Sequence, residues 1–227
     1  MVDKTKTANL FTTLIEKGTL KQDVYKKTFV AFDLLKTGME DLVLQYNRLE
    51  SKVSKTIPFV FRDRSEFEAE LKFAGDTLVF MMHTNVFEMP RDHEVMKTPY
   101  VKEDINRSYC GVINIFNFLS DSFKYNRLND IGYLIGRIFI NKDMHYFIEG
   151  KREIGFLYKS FANAKMTKQS ASEIIESAVM YTINFDLLTP PYDNIKEVTV
   201  QEFRAALDPM QIKTGKRLGF KFQADIN

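Results

Sequence analysis

Between Glu66 and Met89 the chain alternates polar and apolar positions with little interruption. Glu66, Glu68, Glu70 and Lys72 are interleaved with Phe67, Ala69, Leu71 and Phe73. A period of two is the signature of a strand with one buried face. Gly75-Asp76 follows, a Gly-X pair suited to a type II′ hairpin turn. With these two residues at the turn, position 73 faces 78, 71 faces 80, 69 faces 82 and 67 faces 84. Phe67, Ala69, Leu71, Phe73, Leu78, Phe80 and Met82 then share one face. A slip of one residue would turn that face to solvent, so the pattern specifies its own register. In this register His83 stands across from Glu68, a cross-strand pair that accounts for both without chemistry.

Upstream the period changes from two to 3.5. Residues 4–17 read as a short helix closed by Gly18, and Thr19 with Gln22 has the spacing of a capping box that opens a second helix. That helix runs to about Ser54. Its apolar positions Phe32, Leu35, Met39, Leu42, Tyr46, Leu49 and Val53 fall in steps of three and four, an a/d heptad seam. Two partners fit such a seam. One is a second copy of the chain, which makes Phe32, Leu35, Met39, Leu42, Tyr46 and Leu49 self-association residues. The other is the chain's own sheet, favoured by Leu34, Val43 and Leu44, which widen the apolar face. About 35 helical residues span about 50 Å. Part of such a helix is expected to project from a domain of this size and to meet a partner.

Downstream the strand pattern returns. IPFVFRD (57–63) is a first strand, with Pro58 at its beginning. Residues 90–108 read as a long loop with a short helix. Tyr109–Leu119 alternates in the manner of a strand, although helix stays open. Ile131–Ile140 and Met144–Glu149, joined by Asn141-Lys142-Asp143, form a second hairpin that is apolar on both faces. Such strands are covered on both sides or belong to an interface. Ser170 and Glu173 have capping-box spacing and open a helix that ends near Phe185, before Pro190-Pro191. Thr199 and Glu202 open a brief last helix. The expected fold is α+β: an antiparallel sheet of five or six strands with a long N-terminal helix and a C-terminal helix packed on it. The expected divisions are a helical segment 1–55, an α+β domain 56–207 and a basic flexible tail 208–227.

Charge and composition narrow the function classes. The net charge of +2 advertises no polyanion partner, which makes nucleic acid an unlikely one. Cys110 is the sole cysteine, so no disulfide forms within the chain, as expected of a reducing compartment. No apolar run has the length of a membrane span or of a signal-peptide core, and a cytoplasmic location is expected. His83, His93, His145 and Cys110 match no zinc spacing, and no phosphate-binding glycine loop is present. No metal or cofactor is implied, and Cys110 reads as a core thiol. Arg137 is the one charge inside an apolar strand and must reach a carboxylate, solvent or a ligand. Together with Tyr146, Tyr133 and Arg127 it marks a contact surface for a small molecule or a partner.

Four segments, EFEAELKFAGDTLVFMMHTNVFE, RSYCGVINIFNFLSDSFKYNR, DIGYLIGRIFINKDMHYFIEGKR and NFDLLTPPYDN, resemble a family of conserved bacterial proteins of unassigned function, of the kind found in Bacteroidetes. The resemblance covers roughly residues 66–194 and implies a bacterial origin. It brings no activity, cofactor or site residue with it. The leading expectation is a non-enzymatic, self-associating binding or regulatory module. A small-ligand sensor is the alternative, and an enzyme that uses His93 and Cys110 comes after it.

Overall fold

The computed structural model describes residues 4–50, 57–150, 160–185, 189, 191–194, 196–197 and 199–201. The fold is α+β. Helix α1 (Lys4–Glu50) leads into strands β1 (Phe59–Ser65), β2 (Glu68–Phe73), β3 (Asp76–Met82) and β4 (Phe87–Glu88). Helix α2 (Pro99–Glu103) interrupts the next connection. Strand β5 (Tyr109–Leu119), helix α3 (Ser120–Lys124), strands β6 (Tyr133–Asn141) and β7 (Tyr146–Gly150), and helix α4 (Lys168–Ile183) follow. The sheet is antiparallel throughout, in the order β1-β2-β3-β5-β6-β7, and β4 prolongs the line of β3 along β5. The expectations for 202–207 and the tail 208–227 lie outside the described residues.

The first hairpin forms with its faces as the alternation requires. Ala69, Leu71, Phe73, Leu78, Phe80 and Met82 lie in the main core, and Phe67 packs against it. Its turn is Ala74-Gly75, not Gly75-Asp76: Phe73 pairs with Asp76 and Leu71 with Leu78. Moving the turn by one residue moves every pair by two, so the buried face survives while the partners change. Ala74 takes the left-handed conformation, with φ 46°. Glu68 consequently pairs with Met81, and His83 lies past the end of β3, where its Nδ1 accepts from the backbone N–H of Asn85. The expected Glu68–His83 pair is not formed. Glu70 is buried on the outer face of the sheet under Arg64, at 2.8 Å, and Arg62.

Residues 4–50 form one helix, not two. Gly18 stays helical and Thr19 caps nothing. No proline interrupts the run, and a single mid-helix glycine costs only about 1 kcal/mol against alanine. At 1.5 Å per residue α1 is about 70 Å long. Its middle lies on the sheet: Ala31, Phe32, Leu35 and Met39 are fully buried in the same core as Ile113, Ile115, Ile135 and Ile138. Gly111 of β5 lets α1 approach at Thr28, and Gly38 lets α4 approach α1 at Ile175. The N-cap of α4 is Thr167, three residues before the expected Ser170. Ser170 is the N3 partner, its hydroxyl accepting from the Thr167 N–H while Thr167 accepts from the Ser170 N–H.

The doubly apolar second hairpin is covered on both sides. Ile138, Ile140, Tyr146 and Ile148 face the helices. Phe139 and Phe147, stacked at 4.7 Å, face a second cluster with Met89, Val95, Val101, Cys110, Val112 and Phe161. The lid of this cluster is the segment 89–108, which holds α2 between two single 3₁₀ turns.

Candidate functional site

The chemistry-bearing side chains gather where the 89–108 lid meets the β6–β7 turn. Asn141 is fully buried at the end of β6. Its Oδ1 accepts from the N–H groups of Asp143 and His145, both at 3.0 Å, and its Nδ2 donates to the Tyr100 hydroxyl. Met144, φ 62°, completes the turn. Tyr100 lies between His145, stacked at 5.1 Å, and the Arg107 guanidinium, 4.3 Å from its ring centroid. Arg107 reaches Glu103 and Asp143, and Lys142 bridges Asp104 and Asp143. Burial first, with the nearby Asp143 charge adding to it, raises the Tyr100 phenol above its ordinary value. The hydrogen bond from Lys142 holds the Asp104 carboxyl below its own. These partners saturate one another, and what the cluster does is clamp the lid to the turn. Asn141→Ala is expected to lower the unfolding free energy by about 2–3 kcal/mol, because two turn N–H groups lose a buried acceptor. Urea denaturation checks this.

Arg137 also has a structural partner. It donates to Glu149 across the β6–β7 ladder, and Glu149 is held from the other side by His93 Nε2 at 2.7 Å. His93 Nδ1 accepts from Val95 N–H, which leaves the ring proton on Nε2, pointed at Glu149. The four sequence-predicted contact residues do not converge. Arg137 is on the outer face of the sheet, while Tyr146 is on the inner face, 2% exposed in the core. Tyr133 begins β6 opposite Asn117. Arg127 is buried after α3 beside Asp130. The strand alternation that separates positions 137 and 146 onto opposite faces forbids a pocket shared by both. Cys110 is fully buried in the second cluster, and burial pushes its thiol far up, which leaves it inert as a nucleophile.

The self-association seam divides in the same way. Phe32, Leu35 and Met39 are core. Leu42 packs against that core, and Tyr46 donates to the Ile57 carbonyl and meets Phe59 edge-on. Of the six residues only Leu49, 64% exposed, is left to solvent. Of the two partners that fit the seam, the chain's own sheet and α4 cover Phe32, Leu35 and Met39.

Among the described residues, what lacks a cover is the N-terminal part of α1. Every residue from Ala8 to Lys17 is exposed, so this arm stands clear of the domain. Leu10, Phe11, Leu14 and Ile15 are 60%, 55%, 65% and 66% exposed, and their i, i+1, i+4, i+5 spacing puts them in one stripe. At the root of the arm a cleft of about 560 Å³ opens between α1 and the β3–β4 connection. Lys21, Gln22, Tyr25 and Lys26 line one wall, and Thr84, Asn85, Val86 and Phe87 line the other. This arm and cleft are the candidate functional site. The sequence marked that a helix would project, but the apolar residues of the arm belonged to no expected site.

Among the described residues no group of three or more His, Cys, Asp and Glu side chains is placed to hold a metal ion, and no helix is long and apolar enough to cross a membrane. No protein-family model, no curated protein and no solved structure matches the chain.

Proposed function

We propose that the protein is a non-enzymatic binding module that self-associates through the N-terminal arm of α1. One observation carries the reading: four large apolar side chains share a stripe on a helix that has left its domain. A short helix in water is marginal without packing of its apolar face, so an arm of this kind is stabilised by what it docks on. The polar clusters support the non-enzymatic part, since they engage one another and join elements of the fold. A cytoplasmic setting, from the single buried thiol, belongs to the same proposal.

The test is molar mass by light scattering across a concentration series. Wild-type protein is expected to run as a dimer that dissociates on dilution. Leu14→Glu is expected to be monomeric and still folded, because Leu14 is 65% exposed on the arm. Each buried Leu contributes about 1.5–3 kcal/mol and appears twice in a symmetric interface. Kd should therefore rise by roughly two to four orders of magnitude. A wild-type chain that is monomeric at every concentration overturns the reading. The cleft volume favours a second reading, a small-ligand sensor, since it falls in the range of small-molecule sites. In that case ligand raises the melting temperature of wild type and Leu14→Glu alike, with no change in mass.

A further inference from the structure

We infer that the arm docks antiparallel on a second copy of this chain about a two-fold axis at Gly18, each stripe seating in the other copy's cleft. The inference rests on the self-association proposed above and gives it a geometry. The stripe is Leu10, Phe11, Leu14 and Ile15, and the helical wall of the cleft is Lys21, Gln22, Tyr25 and Lys26. The second set repeats the first after eleven residues, about three turns, so both lie on the same side of α1. Reversing one helix about Gly18 places 10 against 26, 11 against 25, 14 against 22 and 15 against 21. A single symmetry operation thus covers both stripes and fills both clefts, as an isologous interface requires.

Gly18 suits the crossing point. It has no side chain, and a Cβ built there meets nothing within 4 Å, so a second helix can approach the backbone closely. Interface area argues for including the cleft. Two arms that meet only each other, over about 15 Å of helix about 10 Å wide, bury on the order of a few hundred Å² each. A stable interface takes about 800 Å² per partner. Seating the stripe beside Tyr25, Val86 and the 40%-exposed Phe87 supplies further apolar surface. Charge opposes the docking: residues 4–27 carry six lysines against Glu16 and Asp23. Lys21 and Lys26 can lay their stems along the partner's stripe and keep their ammonium groups in water. Two basic arms repel less when screened, so the dimer should tighten as salt rises.

Thiol crosslinking of the full-length chain tests the arrangement. Cys110 is buried and stays silent. With a short bismaleimide, Gly18→Cys is expected to crosslink to itself. Leu10→Cys and Lys26→Cys are each expected not to, since about 24 Å of helix axis separates each position from its own copy. Mixing those two variants is expected to give the crosslinked heterodimer. A dimer in which Leu10→Cys and Lys26→Cys crosslink to themselves is parallel, and it overturns the arrangement while the self-association stands. A chain monomeric by light scattering, with no crosslink in any variant, overturns both. Monomers retained on phosphatidylserine vesicles and released by salt overturn the second copy as occupant, because attraction to an anionic surface weakens with salt. Monomers that become dimeric only when truncated after residue 201 overturn it as well, in favour of the chain's own last segment.

Discussion

Leu35→Glu is expected to unfold the domain, not to separate two copies of it. Leu35 is fully buried between the sheet and α4, in the heptad seam that would form the dimer contact in a coiled coil. Removing a buried leucine side chain costs about 2–5 kcal/mol in lost transfer energy and cavity. The glutamate adds a carboxyl that has no partner among Ala31, Phe32, Met39 and Ile175. It takes up a proton instead of ionising, and a shift of about three pH units is a further 4 kcal/mol at neutral pH. The sum approaches the whole stability of a domain, about 5–15 kcal/mol. The chain should lose its cooperative thermal transition and bind a hydrophobic dye. Leu35→Met conserves volume and should cost less than about 1.5 kcal/mol. A folded, monomeric Leu35→Glu chain would move the seam back to an interface between copies. Leu14→Glu is the contrast: an equal chemical insult in the same helix, at a residue 65% exposed.

That contrast separates what the sequence carried from what it could not carry. A heptad pattern states which side of a helix is apolar, never what covers it. Phe11, Leu14, Gly18, Lys21, Tyr25 and Thr28 extend the steps of Phe32, Leu35 and Met39 without a break in phase. One stretch rests on a sheet, and the other is exposed from Ala8 to Lys17. Only the tertiary placement of β5 beneath Thr28 decides where the body ends. Gly18 misled for a local reason. A glycine closes a helix only when it adopts the left-handed conformation, and here it does not. The first hairpin was legible because side-chain alternation tolerates an error in the turn: moving the turn from Gly75-Asp76 to Ala74-Gly75 preserves parity. The partners across it were less legible, and Glu68 lost His83 to that same shift. For the second hairpin, two apolar faces meant either two covers or an interface, and the chain itself supplies both covers. The second cover is the polar-looking segment 89–108, which hides Met89, Val95 and Val101 among charges that face outward. Arg137 was expected to reach a carboxylate, solvent or a ligand, and its carboxylate, Glu149, sits twelve residues away where only strand register names it.

Gly111→Val is expected to be strongly destabilising although it adds no charge. Gly111 lies in β5 opposite Ile140, where α1 crosses the sheet. An ideal Cβ built on it falls 2.8 Å from both Cβ and Cγ2 of Thr28, and closer still to Oγ1. Thr28 cannot step aside. It is fully buried, and its hydroxyl donates to the Val24 carbonyl at 2.8 Å within α1. The backbone of Gly111 has no positive φ. Replacing it therefore relieves no strain and would, by chain entropy alone, stabilise the strand by about 0.5–1 kcal/mol. The clash opposes that gain and wins, because overpacking a filled core typically costs about 1–3 kcal/mol and occasionally more, and valine adds three carbons. The remaining escape is to lift α1 off β5, which uncovers Ala31 and Phe32 one turn further along. Gly111→Ala should lower the unfolding free energy by about 2 kcal/mol and Gly111→Val by more. Thr28→Ala should cost less in the Gly111→Ala background than in wild type, since each deletion there relieves part of the clash. Additive losses in that double-mutant cycle would mean that α1 and β5 do not meet at Gly111. The arm would then leave the domain from a different point on the helix.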